Sequence, residues 1–184
     1  MAISNLKNYL LISTPGLNDS IFRKSIILLC EHDKNGAMGL ILNKPIISEK
    51  NKSSFLKVIF ENMKINSKIY FGGPVNLQNC FVLHDESYLS KDTIKISNEV
   101  ALTSNNKIIE DIKNNIGPQN YKINMGYAGW DQGQLEEEIK HGDWLVKPLS
   151  QNFIFDISDK DMWEFSTLDL GLDPKNYFGK SGRA

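Results

Sequence analysis

Ser25-Ile26-Ile27-Leu28-Leu29-Cys30-Glu31-His32 runs into Asp33-Lys34-Asn35-Gly36 and leaves through Ala37-Met38-Gly39-Leu40-Ile41-Leu42-Asn43. Two apolar runs joined by a short polar link that carries Asn-Gly predict a β-hairpin, because Asn and Gly tolerate the positive φ of tight turns. Both runs are apolar at nearly every position rather than at alternate ones. A strand of that kind is covered on both faces, so the hairpin is expected at the centre of its sheet.

Outward from the hairpin, shorter runs predict strands over Tyr9–Ser13, Ile69–Gly72, Cys80–His84, Thr93–Ser97, Tyr121–Tyr127, Asp143–Lys147 and Phe153–Ile157. Four helices fit between them. Phe55, Ile59 and Met63 recur at four-residue spacing in Ser54–Ile65, as do Ile108, Ile112 and Ile116 in Asn106–Ile116 before Gly117-Pro118. Asp131 to His141 reads as a helix with Asp131 as N-cap, Gln134 at the capping-box position, Leu135 and Ile139 inside, and Gly142 as the stop. Ser158 is the expected cap of a last helix through Leu170, ended by Gly171. Strands outnumber helices and do not alternate with them, which predicts an α+β domain rather than a doubly wound sheet. No repeat, low-complexity tract or linker divides residues 1–184, so a single domain is expected.

The 184 residues are 41% hydrophobic and 23% charged, with 21 basic and 22 acidic side chains, which excludes disorder and rod-like folds. A net charge of -1 argues against electrostatic nucleic-acid binding, and only Arg23 and Arg183 could supply the bidentate contacts that read guanine or clamp phosphate. The accompanying wealth of Lys, Ile and Asn is the mark of A/T-rich codons. Cys30 and Cys80 both sit in apolar runs and read as reduced, buried thiols. The start Met1-Ala2-Ile3-Ser4-Asn5 carries no basic leader, and the first apolar run, Tyr9 to Ile12, is too short to span a bilayer. A cytoplasmic protein without membrane insertion is expected.

Several constellations invite chemistry. Cys30 and His32 lie two apart on a strand, which would bring thiol and imidazole to one face and suggests a thiol-dependent enzyme or redox sensor; the bland reading is a core cysteine beside a strand end. Cys30, His32, His84 and Asp85 could be imagined as metal ligands, but no closely spaced ligand pair occurs, so neither metal nor cofactor is expected. Gly72-Gly73-Pro74-Val75 lacks the Lys-Ser/Thr of a phosphate loop and reads as a backbone turn. Asp131, Glu136, Glu137 and Glu138 make an acidic helix whose charges suit its N-terminal dipole, and Trp130 and Gln134 are spaced to frame a small cleft. Lys44, Lys50, Lys52, Lys57, Lys64 and Lys68 form a locally basic stretch without the aromatic interleaving of a nucleic-acid groove.

Taken in order, these segments resemble the YqgE/AlgH family of bacterial proteins, nearly end to end. The resemblance rests on Leu11-Ile12-Ser13-Thr14-Pro15-Gly16-Leu17, on Cys30-Glu31-His32 with Gly36-Ala37-Met38-Gly39-Leu40 and Asn43-Lys44-Pro45, and on Gly72-Gly73-Pro74-Val75 with Phe81-Val82-Leu83-His84 and Thr103-Ser104. Most specific is Gly126-Tyr127-Ala128-Gly129-Trp130 leading to Gly133-Gln134-Leu135-Glu136, Glu138-Ile139 and Trp144. The resemblance implies a bifurcated, partly barrel-like mixed sheet flanked by helices. It carries over no catalytic residue or cofactor; the AlgH name refers to transcriptional control of alginate production. Cys80 and Arg183 depart from the family pattern, where Gly and His are usual.

The reading that results is a non-enzymatic ligand- or protein-binding factor with an indirect part in transcriptional control; the alternatives are a thiol-dependent enzyme or redox sensor using Cys30 and His32 and, ranked below partner binding, a direct DNA-binding transcriptional regulator. Its partner is an unidentified protein or small molecule, and its site is expected near Cys30, His32, Asn43, His84, Trp130, Gln134 and Glu138.

Overall fold

The computed structural model describes residues 5–46, 67–150 and 152–177. Among them nine strands join in one sheet: β1 (Tyr9–Ser13), β2 (Ile26–Asp33), β3 (Gly36–Ile41), β4 (Ile69–Phe71), β5 (Val75–Asp85), β6 (Thr93–Lys95), β7 (Val100–Thr103), β8 (Tyr121–Asp131) and β9 (Trp144–Pro148). The helices are α1 (Asn106–Lys113), α2 (Gln134–His141), α3 (Phe153–Asp156), α4 (Met162–Asp169) and α5 (Pro174–Tyr177). Strand order is β6-β7-β5-β8-β3-β2-β1-β9, and all the pairs along it are antiparallel. The domain is α+β, as expected.

The opening hairpin is β2–β3, and Ile26 through Cys30 are wholly buried between two apolar layers. Even-numbered side chains such as Ile26, Leu28, Leu40 and Leu42 pack with Leu10, Phe153 and Trp163 on one face. Their neighbours Ile27, Leu29 and Ile41 pack with Leu11, Trp130 and Trp144 on the other. Burying each such side chain is worth about 1.5–3 kcal/mol, so a strand loaded on both faces is forced to the middle.

The sheet forks at β8. Residues Ile123 to Met125 pair in parallel with β4, whereas Ala128 to Asp131 pair antiparallel with β3. Gly126, at φ +68, makes the break between the two halves. The Gly72-Gly73 pair fits into this fork: a Cβ at Gly72 would run into the Gly126 carbonyl oxygen, and one at Gly73 into the Tyr127 backbone. These glycines serve close backbone approach, a stronger demand than the simple turn expected of them.

Several elements differ from expectation for identifiable reasons. Phe153–Ile157, expected as a strand, is mostly the short helix α3. Phe153 and Ile154 are both buried in the same core, which a helical turn permits and strand alternation forbids. The helix expected over Asn106–Ile116 ends at Lys113; Asn115 turns left-handed at φ 57, and Ile116 stays 66% exposed. Asp131 ends β8 rather than capping a helix, yet Gln134 Oε1 still accepts from the Asp131 amide at 3.1 Å, so half of the capping box forms. Helical structure in the last region begins at Met162, and Ser158 contributes the carbonyl of the preceding turn. The strand Val100–Thr103 was not anticipated, being too short for its periodicity to register. The expected helix Ser54–Ile65 lies outside the described residues. Among the described residues no helix is long and apolar enough to cross a membrane.

Candidate functional site

A cleft of about 690 Å³ lies at the tip of the β2–β3 hairpin and the end of β8. Cross-strand pairing makes its floor legible. One row runs Asp33, Gly36, Asp131 and the next Glu31, Met38, Gly129; Tyr127, two positions back on β8, pairs with Val75. Met38, Val75 and Tyr127 are half-buried, whereas Glu31, Asp33, Gly129 and Asp131 are exposed. The cleft therefore has an apolar side toward the sheet centre and carboxylates toward the tip, and Lys7 is the cation in its lining. Neither the Glu31 nor the Asp131 carboxylate has a hydrogen-bond or ion-pair partner among the described residues, while Asp33 caps the turn through the Asn35 amide at 2.7 Å.

His32 and Trp130 also border this cleft, but their rings are committed elsewhere. His32 Nδ1 accepts from the Leu6 amide at 2.8 Å, which assigns the proton to Nε2 and makes it the donor to Glu136 Oε1 at 3.0 Å. Trp130 Nε1 donates to Glu138 Oε2 at 2.8 Å, and Trp144 Nε1 donates to the same oxygen at 2.8 Å. Gln134 Nε2 donates to Glu138 Oε1 at 2.8 Å, and the two indoles meet edge to face with centroids 6.2 Å apart. Trp130, Gln134 and Glu138 thus do converge, as a clamp that fastens α2 to the ends of β8 and β9.

The expected Cys30–His32 pairing does not form. The β2–β3 register slips between Leu29 and Glu31, leaving Cys30 as an extra residue on β2. Such a bulge inverts the alternation that follows it, so Cys30 joins the Leu28 face and His32 the opposite one. Cys30 is wholly buried, and burial, reinforced by the Glu31 charge, raises its thiol pKa far above the ordinary value. Burial pushes Cys80 up to about 12. The thiolate chemistry weighed for Cys30 and His32 therefore lacks its geometry. Native protein should react with iodoacetamide at Cys30 at least 100-fold more slowly than a free thiol at pH 8, since reactivity follows thiolate fraction and access; alkylation at the free-thiol rate, read by mass spectrometry of the Cys30 peptide, would contradict this.

Two further expected site residues are not part of this cleft's lining. His84 is wholly buried on β5, bonded to the Asp85 carbonyl at 2.7 Å and to Thr103 Oγ1 at 2.9 Å. Burial lowers its pKa against the opposing pull of the Asp85 carbonyl, which favours the neutral ring. Asn43 closes the open end of the hairpin, accepting from the Ile26 amide at 3.0 Å and donating to the Lys24 carbonyl at 2.9 Å. Cys30, His32, His84 and Asp85 do not assemble as metal ligands; among the described residues no group of three or more His, Cys, Asp or Glu could hold a metal ion.

Sequence reasoning missed the floor of the cleft. Glu31, Met38, Gly129 and Asp131 lay inside segments already singled out, but the alternation that turns them to one face follows from the bulge and the fork. It also missed Lys122, whose buried ammonium donates to Asp159 Oδ1 at 2.7 Å and to the Leu42 carbonyl at 3.2 Å. A lone Lys within an apolar strand was the available signal.

Residues 10–175 match the protein family described as AlgH-like. A UPF0301 protein of Shewanella woodyi is 35% identical over 99% of this chain and 100% of its own, and one of Saccharophagus degradans is 39% identical over 92% and 84%. The solution structure of the AlgH protein from Pseudomonas aeruginosa superposes with a TM-score of 0.76 at 29% identity, covering 100% of this chain and 98% of that one. A Corynebacterium diphtheriae protein shares the fold at a TM-score of 0.69 and 21% identity, over 89% and 86% of the two chains. With its forked sheet, its glycine-mediated fork and its full-length relatives in agreement, the chain belongs to the AlgH-like family.

Proposed function

We propose that this AlgH-like protein is a non-enzymatic binding factor whose partner, a protein segment or a small molecule, engages the cleft at the β2–β3 tip. The observation that carries the reading is the unpartnered state of Glu31 and Asp131 beside half-buried Met38, Val75 and Tyr127 on a rigid sheet. Open apolar surface bordered by polar and charged groups is typical of interaction sites and ligand-binding grooves. The thiol alternative loses support because Cys30 is buried away from His32. Any effect on transcription is exerted indirectly: the cleft presents carboxylates, which repel phosphate, and the net charge is -1. A cytoplasmic setting is part of the proposal, supported by the free thiols of Cys30 and Cys80.

The test is to fill the cleft without touching its clamp. Gly129 is exposed, and a Cβ there would meet the edge of the Tyr127 ring at 3.2 Å, a contact that a small ring movement relieves. Gly129→Val should keep the native melting temperature within about 2 °C. A thermal-shift screen of peptides and metabolites should yield stabilisers of the native protein that lose their effect on Gly129→Val. Stabilisers that act equally on both proteins would remove the cleft from consideration.

A further inference from the structure

The lining of the cleft specifies more than that something binds. Its carboxylates gather toward the hairpin tip and its apolar side chains toward the sheet centre, the two meeting at the Glu31–Met38 pair, and the strands fix the spacing. Asp33 and Asp131 flank Gly36 in the row at the tip; Glu31 and Met38 stand in the next, and Tyr127 with Val75 lies one further step inward. Positions two apart along a strand are ~6.5–7 Å apart and strands ~4.8 Å apart. Within these rows the surface is bare at Gly36 and Gly129, so backbone rather than side chain forms the floor there. The two glycines are bare for different reasons. At Gly36, φ is +139 and a Cβ would strike the Trp130 carbonyl, so the turn demands glycine; at Gly129 a Cβ would meet only side chains, the edge of the Tyr127 ring at 3.2 Å and Val75 Cγ2 at 3.8 Å. The trough at Gly129 is open although the fold does not require it to be.

An extended chain directs successive side chains to opposite sides, with alternate residues ~6.5–7 Å apart. Laid across β3 and β8 in this trough, it sends one set of side chains toward Glu31, Asp33 and Asp131 and the other toward Met38, Val75 and Tyr127. The charge of the lining decides which residues belong on each side: carboxylates outnumber the single Lys7, and those of Glu31 and Asp131 have no partner among the described residues. We propose that the trough is a docking groove for an extended, basic segment of a partner protein in which Lys or Arg alternates with apolar residues. Resting on the binding role proposed above, the inference narrows it to one class of partner. Small polyamines meet the carboxylates but leave the apolar row uncovered, and nucleic acid is repelled by the rim.

A synthetic peptide, acetyl-Lys-Leu-Lys-Leu-Lys-amide, is the probe, followed by amide chemical shifts of the full-length protein. The amides of Gly36 and Gly129 should shift most and should saturate together. Gly129→Val and the double variant Glu31→Gln/Asp131→Asn should each weaken binding by roughly tenfold, since the first fills the bare apolar floor and the second removes both unpartnered rim charges. The same peptide with Glu for Lys should not bind, and with Ser for Leu should bind at least about fivefold more weakly. Binding of the Glu peptide, equal binding of the Lys-Leu peptide to native protein and both variants, equal effect of spermidine, or no shift at Gly36 and Gly129 would each overturn the proposal. Gly129-dependent stabilisers from the screen that are neutral or anionic would also overturn it while leaving the binding role intact.

Discussion

Glu138→Leu should cost about 4 kcal/mol of stability. Its carboxylate accepts from Trp130 Nε1, Trp144 Nε1 and Gln134 Nε2, each at 2.8 Å. Both indoles are buried, Trp130 7% and Trp144 4% exposed, so removing the acceptor strands their N–H groups away from water. Each stranded donor costs about 1–3 kcal/mol, and hydrogen bonds to a charged acceptor are at the strong end of the scale. The loss extends beyond the bonds, because the clamp is what holds α2, with Leu135 on its inner face, against β8 and β9. Glu138→Gln retains an acceptor oxygen but adds donors where donors already converge, and should cost about 1–2 kcal/mol. Urea unfolding monitored by tryptophan emission measures both; a loss below 1 kcal/mol for Glu138→Leu would show that the indoles find other acceptors.

Asp159→Ala should cost about 3–5 kcal/mol, because it strips a buried ammonium of its counter-charge. The Lys122 side chain is 7% exposed, its Nζ lies 2.7 Å from Asp159 Oδ1 and sits over the Tyr70 ring at 4.2 Å. Asp159 Oδ2 in turn accepts from Lys68 at 3.0 Å and from the Tyr70 hydroxyl at 3.2 Å. Replacing both partners, Lys122→Met with Asp159→Ala, should recover most of the loss, since the cost belongs to the unpaired charge rather than to the absence of the pair. The pH dependence has a definite sign. Burial alone would raise the Asp159 pKa, but hydrogen bonds from Lys122 and Lys68 outweigh it and hold the carboxyl below its ordinary value. A carboxyl depressed in the folded state contributes its stability in full above the unfolded pKa of about 4 and loses it as pH falls through the lower folded value. Lys122 runs the other way: burial lowers its pKa despite Asp159, a cost to folding that fades as pH rises through the folded value toward about 10.4. Between pH 5 and pH 3, then, the native protein should lose stability more steeply than Asp159→Ala. Equal acid slopes in urea titrations would refute the assignment to Asp159; Asp85, also held low because hydrogen bonds from Ser87 and Asn120 overcome its burial, would then account for the slope.

Some of this architecture was legible before any coordinates. The hairpin follows from two uninterrupted apolar runs around Asn35-Gly36, since such strands can only be central. Gly72 and Gly73 were legible as a backbone turn, and the family resemblance supplied the forked sheet; that these glycines and Gly126 make the fork was shown by the structure. The clamp was half visible: Trp130 and Gln134, four apart, were expected on one face, framing a small cleft. Glu138 was named beside them; what could not be read was that it accepts from both indoles, the second being Trp144, brought there by a strand outside that spacing.

The candidate site was the least legible part, and a single residue explains why. Alternation along β2 places Cys30 and His32 on one face if the strand is regular, and that parity led to the thiol reading. The bulge at Cys30 inverts it. The imidazole then meets the Leu6 amide, 26 positions away, and Glu136, 104 positions away, while Glu31 and Asp33 turn outward to join Asp131 and the bare backbone of Gly36 and Gly129. From the amino-acid sequence alone come the α+β class, the central hairpin and the segments where chemistry would lie, because these depend on local periodicity and on which residues tolerate a turn. Which side chains in those segments meet, and which are left open to a partner, was decided by the tertiary structure: facing is a property of strand register, and register is set by contacts between residues far apart in the chain.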